Sequence, residues 1–187
     1  MDITHATALF FHILGALGIA FANGLEFMLV RGLRRGSPEQ IRVWADVYRV
    51  LPALGGGSLG LTLLTGLYLL AVDGPQPWMV AALVTVILIG VLGAWSGIRL
   101  RDAVRAAAAQ PASTDVQRAL REWRFPVSNR LRIALLVGIL ALMVFRPDLV
   151  GSIVAISVAI GLGVIWCIPV LDRSSRASGA SSPRDRG

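Results

Sequence analysis

The chain has 187 residues, of which 55% are hydrophobic and only 16% are charged, and its mean hydropathy is +0.69. This composition is too apolar for a soluble globular domain of this length, and it favours a helical membrane protein. All 18 basic side chains are arginine, and against 11 acidic side chains they give a net charge of +7. Because these arginines lie between long apolar segments and form no stripe on a polar face, we expect them to meet the anionic headgroups of a lipid bilayer and not nucleic acid.

Four apolar runs have the ~20 residues that a helix needs to cross the hydrocarbon core. They are Ala6–Val30, Val50–Val72, Met79–Ile98 and Leu149–Leu171. A fifth run, Ile133–Phe145, crosses only if its helix begins near Val127, and Arg130 and Arg132 would then extend to the headgroups. The first run is longer than the apolar region of a signal peptide, so we expect it to be retained. The sequence therefore predicts an all-α transmembrane bundle of five spans, a four-span core plus one C-terminal span.

The distribution of arginine predicts how the spans are oriented. Seventeen of the 18 arginines lie in 31–49, in 99–132 or after Leu171, and one lies in the turn at 146–148. The positive-inside rule places arginine-rich segments in the cytoplasm. We therefore predict a multi-pass protein of the cell inner (plasma) membrane with its N-terminus outside and its C-terminus inside. Residues 1–171 would form a single bundle, and the Ser-, Arg- and Gly-rich tail 172–187 would be disordered in the cytoplasm.

Each of the two large arginine-rich loops contains an amphipathic segment with a helix start signal. In the first, Ser37 and Gln40 have the spacing of a capping box. Its apolar stripe consists of Ile41, Trp44, Tyr48 and Leu51. In the second, Thr114 precedes a stripe that includes Trp123. We expect both segments to be interfacial connectors in the headgroup layer, where arginine and tryptophan are favoured, and the alternative is a surface that binds lipid or a partner.

Four polar side chains interrupt the first apolar run at positions that share one face of a helix. They are His5, His12, Asn23 and Glu26, and we call them the polar stripe. The face drifts by only about 20° per heptad, and Asn23 lies within about 20° of His12. Polar groups are costly in hydrocarbon unless they are satisfied, so we expect this intramembrane stripe to face the interior of the bundle.

The Glu26 carboxylate needs a partner from another helix, because Arg31 lies five residues further on and off the same face. The candidates at the inner ends of other spans are Arg99, Arg130 and Arg132. We predict that Glu26 and Asn23 form an interhelical polar lock near the cytoplasmic side. His12 would act separately in the outer half of the same span.

Small residues in the second and third runs predict helix-packing positions. They are Gly55, Gly56, Gly57, Gly60, Gly93 and Gly97. Glycine removes side-chain bulk, so two helices can approach closely at such positions. A phosphate-binding loop is excluded because the run lacks the lysine and the strand that such a loop requires. The GxxxG pair marks either an internal seam or a dimer face, which leaves open assembly as a homo-oligomer or with a membrane partner protein.

The sequence contains little that indicates catalysis or a cofactor. His5 and His12 lie about 10.5 Å apart along a helix, too far to bind one metal ion or one haem iron together. Cys167 is the single cysteine, which excludes an internal disulfide and a cysteine cluster. No hydrolase motif surrounds any serine. We therefore expect no catalytic residue, leave a metal site open, and keep a membrane redox protein that binds b-haem or a metal through His12 as the alternative.

Four segments taken in order carry a resemblance to a known family. They read FHILGALGIAFAN, LTGLYLL, REWRF and LMVFRPD, and they extend over about residues 10–148. The chain resembles an uncharacterised bacterial family of small predicted integral membrane proteins, a domain of unknown function. The resemblance implies a four-span core and no agreed activity, and Leu149–Leu171 departs from it as an additional span. We interpret the chain as a non-enzymatic bundle that assembles with itself or a partner, or conducts a small solute or proton along the polar stripe.

Overall fold

The computed structural model describes residues 2–35, 37–109 and 124–179, and these form five helices. The helices are α1 Ile3–Arg35, α2 Pro38–Asp73, α3 Pro77–Ala109, α4 Arg124–Phe145 and α5 Leu149–Gly179. Each contains an apolar segment of 19 residues or more, long enough to cross a membrane. The predicted all-α bundle of five spans is therefore confirmed, and the described ranges contain no strand.

The first four helices form a closed ring, in which each packs against the next and α4 packs against α1. The fifth helix, α5, lies outside this ring against α4 and α3. Two apolar clusters fill the interior of the ring. One surrounds Leu29, Leu33 and Leu100, and the other includes Ile19, Val86, Ile89, Leu135 and Leu142. Many large apolar side chains are instead exposed on the outer surface, as contact with lipid requires.

The start of α2 has the predicted capping box. The Gln40 backbone N–H donates to Ser37 Oγ at 3.5 Å, and the Ser37 backbone N–H donates to Gln40 Oε1 at 3.0 Å. The helix then continues without interruption through Pro52 to Asp73. A proline removes only one backbone donor, and packing of both halves of α2 against neighbouring helices keeps them in line. The prediction of a separate connector helix before the second span is therefore wrong.

The apolar stripe of this first half of α2 faces other helices. Ile41, Tyr48 and Leu51 are buried in the cluster that α1 and α3 complete. Trp44 is half-buried against Gly32 of α1, where a Cβ would have no room. The stripe is thus a helix-packing surface, because packing against α1 and α3 buries its apolar side chains. The second predicted amphipathic segment, with Trp123, lies outside the described residues.

The two arginines near the start of α4 have different surroundings. Arg132 does not extend to the headgroups as predicted, since only 5% of it is exposed and it points into the ring. An acidic partner on α1, Glu26, allows this burial. Arg130 instead donates from Nη1 to the Trp166 carbonyl of α5 at 2.6 Å, and its guanidinium lies over the indole ring.

The turn between α4 and α5 contains Arg146, which has a positive φ of 45°, and Asp148, whose Oδ1 accepts from the Gly151 backbone N–H at 2.9 Å. That bond caps the start of α5. At its other end α5 continues to Gly179, past the point at which the sequence predicts the disordered tail to begin. Arginine and alanine are good helix formers, so a helix already nucleated in the span extends into them. Residues 180–187 lie outside the described part.

Candidate functional site

The polar stripe of α1 faces the interior of the ring, but it divides into two groups. Asn23 and Glu26 are buried, with 3% and 7% of their surface exposed. His5 and His12 are half-buried nearer the start of the helix. Because His12 and Glu26 lie about 21 Å apart along the axis, each group has its own set of neighbours.

The Glu26 carboxylate forms an ion pair with Arg132 of α4. Arg132 Nη2 donates to Glu26 Oε2 at 2.7 Å, and 6% and 9% of the two side chains are exposed. Arg132 is one of the three arginines that the sequence offers as partners. Gly93 of α3 makes room for it, since a Cβ there would lie 3.3 Å from Arg132 Nη1. Opposite charges at this distance compensate each other in a surrounding that water does not screen.

A second link joins α1 to α4 one turn away. Asn129 Nδ2 donates to the Asn23 carbonyl at 3.1 Å, while Asn23 Nδ2 donates to the Ile19 carbonyl within α1. Four buried polar atoms here have no partner among the described residues: Asn23 Oδ1, Glu26 Oε1, Asn129 Oδ1 and Arg132 Nε. A buried polar atom without a hydrogen bond is costly, so these atoms require water or a ligand.

A cavity of about 390 Å³ lies beside this pair, and we call it the Glu26 cavity. Helices α1 to α4 all contribute to its lining. Its polar side chains are Asn23, Glu26, Tyr48, Arg101 and Arg132, and the remaining lining is apolar or glycine. Tyr48 is already satisfied because its hydroxyl donates to the Gly97 carbonyl at 3.0 Å. The unpartnered polar atoms of the cavity lining therefore belong to Asn23, Glu26 and Arg132.

The predicted helix-packing glycines mostly border open space. A Cβ added at Gly56, Gly57, Gly60 or Gly97 would meet no heavy atom within 4 Å, and one at Gly55 would make only ordinary contact. The prediction of close helix approach is therefore wrong within one chain for these residues. Four of the predicted set instead line the Glu26 cavity: Gly55, Gly56, Gly93 and Gly97. Their missing side chains leave a void, because the neighbouring larger residues hold the helices apart.

The close approaches between α1 and α2 occur at glycines of α1. A Cβ at Gly15 would clash with Thr62, and a Cβ at Gly18 would lie 2.9 Å from Ser58 Cβ. From the sequence, Gly15 and Gly18 are small residues near the polar stripe that would let another helix come close, and the structure identifies that helix as α2. Spacing alone does not distinguish glycines that are covered by a helix from glycines that are not.

His12 is held by α2. Its Nδ1 lies 3.1 Å from the Thr62 carbonyl and 3.2 Å from Thr65 Oγ1. A carbonyl oxygen only accepts, and the Thr65 hydroxyl donates to the Leu61 carbonyl at 2.6 Å, so Nδ1 is the donor. In the neutral ring Nε2 then carries the free lone pair, which is the arrangement that prepares a histidine to accept a proton or to bind a metal.

A second cavity, of about 640 Å³, contains the histidine group, and we call it the His12 cavity. His5 and Asp73 face each other there, with 3.5 Å between Nδ1 and Oδ1. Arg146, the single arginine that the sequence places outside, also lines it and lies over the Trp78 ring. The lining further includes Met79 and Met143.

The two cavities approach the same apolar cluster from opposite sides. Ile19 and Ile89 line the Glu26 cavity, whereas Leu63 and Val86 line the His12 cavity. These residues pack together within the second interior cluster. The interior of the ring therefore contains two cavities on one face of α1, each with a few ionisable side chains in a mainly apolar lining, and a layer of apolar side chains separates them.

Nothing else in the described ranges resembles a reactive site. No group of three or more His, Cys, Asp or Glu side chains there is placed to hold a metal ion. Cys167 is buried in α5, near the Val127 carbonyl, and lines neither cavity. Sequence reasoning missed Asn129, Met79 and Met143. Only Asn129 had a signal, as a polar residue one helical turn before Arg132.

The comparisons with known proteins give one match. The profile of a family described as predicted integral membrane proteins, DUF2269, matches residues 6–147. This range contains the four helices of the ring and ends in the turn before α5. No curated protein and no solved structure was found to match the chain.

Proposed function

Because the chain belongs to the DUF2269 family of predicted integral membrane proteins, whose function is unknown, we propose a role from its geometry: passage of a proton or another small solute along the polar stripe of α1. One observation carries this proposal. Two cavities with ionisable side chains in their linings, which we call the two compartments, lie along the same face of one membrane-spanning helix, with an apolar layer between them. Ionisable groups inside a membrane mark ion pathways and proton relays more often than structural sites, because their burial is costly.

The two compartments contain the groups that a relay uses. On one side the Glu26 carboxylate has a free oxygen, Oε1, and on the other side His12 has a free nitrogen, Nε2. Each can accept a proton. Because of the two compartments, the apolar barrier that a solute must cross is reduced to the layer formed by Ile19, Val86 and Ile89. Rearrangement of this layer would connect them, while the Glu26–Arg132 pair keeps the resting charge balanced.

The arginine distribution predicts which side of the membrane each end of the proposed passage faces. Under the positive-inside rule the Glu26 cavity lies towards the cytoplasm and the His12 cavity towards the outside of a bacterial inner membrane. Arg146 is then the one arginine on the outer side, where it lines the His12 cavity.

Proton flux into proteoliposomes tests the proposal. With a pH-sensitive dye inside and an imposed potential, we expect a flux above that of protein-free vesicles, and Glu26→Gln should abolish most of it. The matched control is Asp46→Asn, which makes the same chemical change at an exposed carboxylate that contacts Arg49 at 3.5 Å. Flux equal to that of empty vesicles across several small ions, or equal flux in wild type and Glu26→Gln, would refute the proposal.

A second candidate is supported by the His12 cavity, namely a membrane protein that binds b-haem. Axial haem ligands are commonly histidine and methionine, and His12, Met79 and Met143 line one cavity. The Nδ1 bond to the Thr62 carbonyl orients His12 as such a ligand is usually oriented. Arg146 would meet a propionate. A haem bound there would supply one-electron chemistry, and these residues would hold it.

Absorbance distinguishes the two candidates. Protein purified in mild detergent from cells supplied with haem should show a Soret band that His12→Ala removes. His5→Ala is the control, since His5 is paired with Asp73 at the rim. A spectrum without a Soret band eliminates this second candidate and leaves the proposal of passage unchanged.

A further inference from the structure

We propose that the Glu26 cavity binds the head of a neutral, lipid-dissolved amphiphile, which enters sideways from the bilayer between α2 and α3. The occupant we infer has an apolar body and a head that both donates and accepts hydrogen bonds, as a hydroxyl or an amide does. This site does not depend on the proposed passage, because binding from the lipid requires no connection between the two cavities.

The opening is formed by apolar residues and a glycine that line the cavity and are also exposed, and the exposed Arg101 lines the cavity further along α3. On α2 these are Pro52 and Gly56, and on α3 they are Ala94 and Ile98. Ile98 is 58% exposed. All four lie within the apolar segments that would span the membrane, so the opening faces hydrocarbon. A polar solute would not reach it from water by this route, whereas a molecule dissolved in the bilayer would.

The far end of the cavity contains the unsatisfied polar groups. Glu26, Asn23 and Arg132 are each more than nine-tenths buried, and each lines the cavity. Glu26 Oε1 and Asn23 Oδ1 are acceptors without a donor, and Arg132 Nε is a donor without an acceptor. A head that supplies both a donor and an acceptor would satisfy them, and an unsatisfied buried group gains most from such a partner.

The charges select a neutral head. The Glu26–Arg132 pair has no net charge, so an anion would meet the carboxylate and a cation would meet the guanidinium. Arg101 also lines the cavity, but it is half exposed and contacts Asp102 at 3.5 Å. The remaining lining includes Leu51, Leu59, Ile89 and Leu100, which suit an alkyl or isoprenoid body. A volume of about 390 Å³ is within the range of pockets that hold small ligands.

The glycines of α2 supply a matched pair of variants. Gly56 and Gly57 are neighbours, both are exposed, and an added Cβ at either meets no heavy atom within 4 Å. Only Gly56 lines the cavity. Gly56→Leu should therefore fill the opening, and Gly57→Leu adds the same side chain to the same helix without filling it.

Photolabelling of the full chain in liposomes tests the site. The probe is a medium-chain alkanol that carries a diazirine, and the hydroxyl-free diazirine alkane is the comparison. We expect the alkanol to label peptides that line the cavity, with loss of this labelling in Gly56→Leu and retention in Gly57→Leu. The alkane should label the same peptides roughly tenfold less, since it forms no hydrogen bond with the charged pair. Circular dichroism and gel filtration report whether both variants fold.

Three outcomes would overturn the inference. Labelling confined to lipid-facing peptides would show that the cavity is closed to the bilayer. Equal labelling of folded Gly56→Leu and Gly57→Leu would show that the opening lies elsewhere. Equal labelling by the alkanol and the alkane would show that the polar end of the cavity does not select the head. The proton-flux assay on the same liposomes is read separately, so failure of the passage and failure of this site are distinguishable.

Discussion

At the scale of single residues, the Glu26–Arg132 pair is the most consequential contact in the ring. It is buried, it joins α1 to α4, and its two charges compensate each other. The contribution of such a pair is asymmetric, because removal of one partner leaves the other as an uncompensated buried charge. Substitution of one partner should therefore destabilise the protein more than loss of a neutral interhelical hydrogen bond, which contributes about 1 kcal/mol.

We predict that Glu26→Leu lowers the free energy of unfolding by about 3–5 kcal/mol, the range for breaking a buried ion pair. Glu26→Gln retains an acceptor for Arg132 and should cost less. In the double variant Glu26→Leu/Arg132→Leu both charges are gone, so the loss should be smaller than the sum of the single losses. Unfolding in mixed micelles compares wild type, Glu26→Gln, the two single variants Glu26→Leu and Arg132→Leu, and the double variant. Additive losses would show that the two side chains do not interact in the membrane.

At the scale of the helices, the contact of α1 with α2 depends on glycines that face threonine and serine. Gly15 and Gly18 have no room for a side chain, whereas the glycines of α2 at 56, 57 and 60 face open space. The close approach of these two helices therefore depends on the glycines of α1 and not on the three glycines of α2. The amphipathic first half of α2 and its span are one continuous helix, so this contact with α1 helps to position both.

We predict that Gly18→Val destabilises the protein by about 1–3 kcal/mol, the usual cost of overpacking. The added side chain would displace Ser58 and separate α1 from α2. Gly57→Val adds the same side chain in open space and should cost about 0.5 kcal/mol or less beyond its effect on helix propensity. Thermal unfolding in one detergent compares the two variants. Similar losses for both would contradict the assignment of Gly18 to the α1–α2 contact.

At the scale of the whole molecule, the ring of four helices accounts for the range that the family profile matches, and α5 is an addition on its outer side. An odd number of spans puts the two termini on opposite sides of the membrane. Together with the arginine distribution, this predicts which side each connection faces.

We predict that reporter fusions after Pro75 report the outside of the cell and that fusions after Gln110 or Gly187 report the cytoplasm. The physical reason is the excess of arginine in the segments that would stay inside. An alkaline phosphatase reporter and a fluorescent protein reporter give opposite readings at each site and control for expression. A fusion after Gly187 that reports the outside would contradict the orientation.

The spans were predictable because lipid imposes a length and a composition on any helix that crosses it. The arginine type of the Glu26 partner was predictable for a similar reason, since a buried carboxylate requires a counter-charge. The choice of Arg132 was not, because it depends on α4 lying beside α1 and on Arg132 facing α1 while Arg130 contacts Trp166 of α5. The same ring geometry determines that Gly56 borders one cavity and that Met79 and Met143 line another together with His12. No spacing within a single helix contains that information.

The separation of Glu26 from Arg132 along the chain also bears on how the protein is made. The two residues are 106 positions apart, so at 5–20 residues per second the ribosome needs roughly 5 to 20 s to supply the partner after α1 has emerged. During that interval α1 carries an acidic side chain without its counter-charge, and a charged side chain inside a span is costly, by about 2.5–3.5 kcal/mol at the centre and less towards the ends. Newly inserted α1 therefore has to remain beside the insertion machinery, or near the headgroup layer at the Glu26 end, until α4 arrives. Completion of the ring, and not entry of the first helix, is then the step that commits the nascent chain to its membrane.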